Sequence, residues 1–138
     1  MKKRLSILVA LVLTMVMSIS VALAHITTDS FSVKGRGFSI SCWISDDEKD
    51  ARASTTGGPG TYNKVSALFC WHDVNLPPYY SGYSGTSQDE VSGSTTASVY
   101  APTLAGTSKK YYRVESNHRG EYDGDYREYN HLVVTDDD

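Results

Sequence analysis

Beyond residue 24, apolar and polar residues alternate along most of the chain, and no stretch carries a helical period. In the clearest segment, Phe38–Asp46, the apolar side chains fall on one face, and serines with Trp43 fall on the other. A longer segment, Tyr62–Asp73, alternates in the same way. Alternation with a period of two is typical of half-buried β-strands, so the pattern predicts an all-β protein.

The same pattern predicts about seven strands, separated by turn signals rich in glycine and aspartate. They are Thr27–Val33, Phe38–Asp46, Arg52–Thr56, Tyr62–Asp73, Ser92–Tyr100, Ser108–Asn117 and Asp125–Thr135. Several short strands with turns between them favour a sandwich or a barrel. We therefore predict one small antiparallel β-sandwich domain over residues 25–138, ending in an acidic C-terminal tail.

The segment over residues 75–90, NLPPYYSGYSGTSQDE, shows no strand pattern. Two prolines near its start end the preceding strand, and glycine and serine then surround Tyr79, Tyr80 and Tyr83. The composition predicts a Gly/Ser/Tyr-rich loop. Loops of this length in a compact domain are often functional or disordered.

The last two strands are expected to form a hairpin. Asp123-Gly124 is a favourable two-residue turn, and a turn centred there sets Arg119 opposite Glu128, a pair of opposite charges. Arg119-Gly120 offers an alternative turn, which leaves the register open.

The N-terminus has the pattern of a secretory signal peptide. Basic residues at positions 2–4 precede an uncharged, mostly apolar run that ends in Ala22-Leu23-Ala24. We predict a bacterial-type signal peptide over residues 1–24 and a secreted domain, outside the cell or in the envelope space, with no stable membrane anchor after cleavage. An uncleaved anchor is the alternative, since the run is nearly long enough to span a bilayer.

Charge restricts the classes of partner. The chain has a formal net charge of −3, and cleavage would remove three basic residues and change it to −6. A mildly acidic domain without a basic stripe is a poor candidate for binding nucleic acid or an anionic membrane.

The two cysteines, Cys42 and Cys70, predict one disulfide, because exported proteins favour pairing. Strand alternation conflicts with this bridge, since it sets Cys42 on the apolar face of its strand and Cys70 on the less apolar face. Three outcomes follow: a bridge that turns Trp71 outward beside Trp43, a β-bulge near Cys70, or an unformed bridge. We expect the bridge.

Aromatic side chains are the best candidates for a binding surface. Ten tyrosines are many for this length, and tyrosine offers a flat apolar face with a polar tip. The residues expected to carry contact are Trp43, Trp71, Tyr79, Tyr80 and Tyr83. We expect a non-enzymatic binding or interaction module, with no cofactor, whose partner is a protein or an envelope polymer.

Cleavage after Ala24 would make His25 the N-terminal residue, and this suggests an alternative function. A terminal amine and its own imidazole bind Cu(II) together, with a further histidine from His72, His118 or His131. In this one feature the chain resembles secreted β-sandwich copper oxygenases and small periplasmic copper carriers, which implies a copper-binding protein. A secreted antimicrobial or toxin-like protein is a third alternative.

Overall fold

Antiparallel β-strands build the domain in a computed structural model that describes residues 24–76, 81–93 and 95–136. Eight strands lie in these ranges: β1 (His25–Val33), β2 (Arg36–Ile44), β3 (Ala51–Thr56), β4 (Thr61–Asp73), β5 (Ser81–Gly93), β6 (Thr96–Tyr100), β7 (Lys109–Tyr122) and β8 (Asp125–Thr135). Among these residues there is no helix long and apolar enough to cross a membrane. The predicted signal peptide, apart from Ala24, lies outside the described residues.

The strands form two four-stranded sheets. The first sheet has the order β1-β2-β3-β6 and the second has the order β5-β4-β7-β8. Alternation places the core between the sheets, with Phe38, Ile40 and Ile44 buried from β2, and Val65 and Phe69 buried from β4. The predicted all-β, antiparallel sandwich is confirmed, although it has eight strands instead of seven.

The β7–β8 hairpin has the predicted register. Asp123 and Gly124 both have positive φ, 51° and 77°, which is the geometry of a two-residue turn that matches strand twist. Arg119 lies opposite Glu128. The alternative turn at Arg119-Gly120 is wrong, because both residues lie inside β7.

The loop predicted over residues 75–90 is wrong for most of its length, because β5 occupies Ser81–Gly93. This strand lies at the edge of the second sheet, and β4 is its neighbour there. Backbone hydrogen bonds to β4 hold it, so it needs no alternating apolar face. Tyr79 and Tyr80 lie outside the described residues.

The predicted disulfide is also wrong: Cys42 and Cys70 are both buried free thiols. Cys42 points into the core, where it meets Ser116 and the backbone of Val134. Cys70 pairs with Arg113 in the β4–β7 register and shares the outer face of the second sheet with it. The second sheet itself therefore separates the two sulfur atoms.

A register shift does occur near Cys70, but it does not reset the alternation of β4, which is what the expected β-bulge had to do. Between Cys70 and Trp71 the β4–β7 pairing skips Tyr112, so the extra residue lies on β7. Alternation within β4 stays regular, and Trp71 pairs with the fully buried Tyr111 and packs against the core. The expected outward turn of Trp71 is therefore wrong.

Candidate functional site

The outer face of the first sheet carries one row of large side chains. Ile26 on β1 lies opposite Trp43 on β2, which lies opposite Arg52 on β3, which lies opposite Tyr100 on β6. Ile26 is 55% exposed and Tyr100 is 63% exposed. The Arg52 guanidinium carbon lies 5.1 Å from the centre of the half-buried Trp43 ring. We call these four residues the aromatic row.

Two further cross-strand rows on this face carry hydroxyl groups. We call them the hydroxyl field: Thr28, Ser41, Ser54 and Ser98 in one row, and Ser30, Ser39, Thr56 and Thr96 in the next. Ser41 and Ser54 are hydrogen-bonded at 2.8 Å, and Thr56 and Thr96 at 2.6 Å. A hydroxyl donates once and accepts twice, so paired hydroxyls keep capacity for a ligand.

The hydroxyl field surrounds a shallow depression of about 520 Å³. Residues from β1, β2 and β3 line it, with the exposed Ile26 on the side of the aromatic row and Asp29 at the β1 edge. The Asp29 carboxylate accepts hydrogen bonds from the Tyr129 hydroxyl and the Ser30 backbone N–H, which together lower its pKa. Because the depression is shallow and lies on the sheet surface, the site is an open surface and not an enclosed pocket.

Charge distinguishes the two outer faces of the sandwich. Of the residues that the described registers place on the first sheet's outer face, Arg52 alone is charged. The outer face of the second sheet carries ion pairs, including Lys64–Glu90 at 2.8 Å and Arg119–Glu128 at 3.4 Å. A depression of about 180 Å³ lies among these charges. Because the charges already have partners, the second face is the weaker candidate for binding.

The structure does not bring the predicted aromatic residues together. Trp43 lies on the first sheet's outer face, whereas Trp71 lies at the margin of the core on the second sheet. The Lys109 ammonium is 3.8 Å from the centre of the Trp71 ring, and Gly82 lies opposite Trp71. Tyr83 lies in β5, with its backbone opposite Cys70 and its side chain outside the described part.

Sequence reasoning missed Ile26, Arg52 and Tyr100 as candidates for the site. The serines that alternate with apolar residues in β2 indicated a polar outer face. The register across four strands places Ile26, Arg52 and Tyr100 in one row with Trp43. Alternation within a single strand does not specify that register.

His25, the predicted copper ligand, lies at the start of β1, and its Nε2 is 2.8 Å from a carboxylate oxygen of Asp136. Within the part of the chain that the structure describes, no three His, Cys, Asp or Glu side chains gather to hold a metal ion. The copper site stays a prediction.

His118, another of the predicted copper ligands, is instead a core residue. It is 2% exposed, and Thr55 and Ser116 each approach one of its ring nitrogens at 2.8 Å. Burial lowers the pKa of His118 to about 4, so the ring is neutral at pH 7. Burial likewise raises the pKa of the nearby Cys42 thiol to about 11. Neither group reaches the surface, so both serve the interior of the sandwich.

A scan of protein-family models, a search of curated proteins and a search of solved structures each found no match to this chain. The surface chemistry of this chain therefore carries the functional conclusion.

Proposed function

We propose that this chain is a non-enzymatic binding module that contacts a polymer of the bacterial envelope through the outer face of its first sheet. The observation that carries the proposal is the aromatic row beside the hydroxyl field. The row keeps large apolar groups in water, which nothing in the packing of the sandwich requires, because the opposite face of the same strands already supplies the core.

The arrangement suits recognition in two ways. Exposed aromatic and arginine side chains supply contact area at low entropic cost and are enriched where binding energy concentrates. The paired strands fix the backbone from which these side chains project, so only the side chains must become ordered when a partner binds. The position of the row across four paired strands makes it one continuous surface.

Co-sedimentation with purified bacterial cell walls tests the proposal. The domain over residues 25–138 is expected to pellet with the walls, and the double variant Trp43→Ala/Tyr100→Ala is expected to stay in the supernatant. Tyr126→Ala is the matched control, because Tyr126 is 59% exposed and lies on β8 of the second sheet. Thermal unfolding of each variant checks that the sandwich is intact.

Two results would overturn the proposal: no sedimentation of the wild-type domain with the walls, or equal sedimentation of the wild type and the double variant. Loss of binding in Tyr126→Ala alone would also contradict it, since it would move the contact to the second sheet.

A further inference from the structure

We propose that the ligand of this face is a neutral polysaccharide of hexopyranose rings with equatorial hydroxyl groups. This inference rests on the function proposed above and names the ligand class for the same site. Three features of the described face support it: its size, its charge and the order of its side chains.

The size of the face fits a thin polymer better than a folded protein. Four strands at about 4.8 Å spacing and three rows at about 6.6 Å give a surface of roughly 20 Å by 20 Å once side-chain widths are included. This is about 400 Å², whereas a stable protein–protein contact buries about 800 Å² on each partner. A polysaccharide chain contacts its binder along a narrow strip, so this face is large enough for it.

The charge around the face disfavours anionic polymers. The loop that joins β2 to β3 begins beside the aromatic row and carries exposed Asp46, Asp47 and Asp50. Arg52 is the one charge in the row, and it stacks on Trp43. Since the chain as a whole is also acidic, uronic-acid polymers, teichoic acids and nucleic acids meet repulsion here. Uncharged glycans do not.

The arrangement of the aromatic row beside the hydroxyl field matches the surface of a pyranose ring. The flat faces of such a ring present C–H groups, which pack on the electron-rich face of an aromatic side chain. Its equatorial hydroxyls project from the rim and both donate and accept, as the serines and threonines of the hydroxyl field do. The distance between neighbouring strands is close to the length of one sugar unit along a β-1,4-linked chain, so successive units meet successive strands.

Affinity electrophoresis in gels containing a soluble neutral polysaccharide tests the inference. The probes are hydroxyethyl cellulose and mixed-linkage β-glucan, whose glucose rings carry equatorial hydroxyl groups, with polygalacturonate as the anionic comparison. Both neutral polymers are expected to retard the wild-type domain, and polygalacturonate is expected to leave its mobility unchanged. Loss of one aromatic contact worth about 1.4 kcal/mol weakens binding about tenfold, so Trp43→Ala and Tyr100→Ala should each raise Kd by about that factor.

Thr28→Val separates the hydroxyl field from the aromatic row, because it removes one exposed hydroxyl and keeps the shape of the side chain. It should weaken binding by a few-fold, and Tyr126→Ala should leave Kd unchanged. Equal retardation of wild type and Trp43→Ala overturns the inference, and so does retardation by polygalacturonate alone.

The two proposals fail separately. If Trp43 and Tyr100 are needed for binding to cell walls but no neutral polysaccharide retards the domain, the proposed function stands and this ligand class is wrong. If neither walls nor polysaccharides are bound, both proposals are wrong.

Discussion

At the scale of single residues, His118 sets a pH limit on the stability of the sandwich. The side chain lies between the sheets, where Thr55 of the first sheet and Ser116 of the second contact its two ring nitrogens. The neutral ring can form a hydrogen bond with each of these hydroxyl groups, one at each ring nitrogen. A protonated ring would bring an unpaired charge into the core, which proteins avoid by shifting the pKa or by unfolding.

The free energy of unfolding should therefore fall as the pH decreases from about 6.5 to about 4. In this window the unfolded chain takes up a proton at His118 and the folded chain does not, so acid favours unfolding. The pKa difference corresponds to about 3 kcal/mol. Urea unfolding at a series of pH values measures it.

His118→Gln is the control, since glutamine keeps polar atoms at this position but does not titrate. Its profile should lose the slope between pH 6.5 and 4, whatever its absolute stability. Wild-type and variant profiles of the same slope would contradict the assignment. Carboxylates that hydrogen bonds stabilise in the folded state, such as Asp47 and Asp73, act nearer pH 4 and below.

At the scale of elements, the packing of β7 on β2 depends on one glycine. A methyl group at Gly120 would lie 2.6 Å from the ring of Phe38, which is 1% exposed. The absence of a side chain at Gly120 thus makes room for Phe38, the largest buried apolar side chain of β2.

Gly120→Ala should reduce the free energy of unfolding by about 1–3 kcal/mol, because the added methyl group overpacks the core against Phe38. Urea unfolding measures the change. Gly37→Ala is the matched control: Gly37 also lies in a strand, and a methyl group there meets nothing within 4 Å. Equal stability of the two variants would contradict the proposed role of Gly120.

The elements differ in how well their sequences predict them. β2 and β4 have an apolar face toward the core, so alternation located both. The β7–β8 turn was identifiable from Asp123-Gly124, because few residues other than glycine, asparagine and aspartate tolerate positive φ. β5 has no such signal, since pairing with β4 holds its glycine- and serine-rich sequence in place.

At the scale of the whole molecule, the two sheets have different outer faces on a shared core. The first sheet presents hydroxyl groups and an aromatic row, and the second presents paired charges. The difference between these two faces arises from which strands are neighbours in each sheet. The order β1-β2-β3-β6 sets Tyr100 near Trp43, although 56 residues separate them in the chain.

The same long-range arrangement explains why the cysteine prediction failed. Counting cysteines in an exported chain favours a bridge, but a bridge requires both sulfur atoms in one space. Cys42 points from the first sheet into the core, whereas Cys70 lies on the outer face of the second sheet. The number of cysteines does not reveal this difference in position.

Both thiols should therefore react with iodoacetamide when the protein is denatured without reductant, and mass spectrometry should find two adducts. In the folded state both should react slowly, because burial raises the pKa of each thiol and little thiolate forms. Dithiothreitol should leave the Tm unchanged. A missing adduct, or a Tm that falls on reduction, would show that a bridge forms.

The contact between His25 and Asp136 also determines where the domain can be joined to other chains. Since β1 begins and β8 ends at one corner, a linker of a few residues would connect them, and the chain could be opened instead at the Asp123-Gly124 turn. Ile26 lies at the same corner, so a label fused directly before His25 or directly after Asp136 starts beside the aromatic row. A circular permutant opened at the hairpin would carry its label at the far end of the sandwich and leave the row uncovered on a sensor surface.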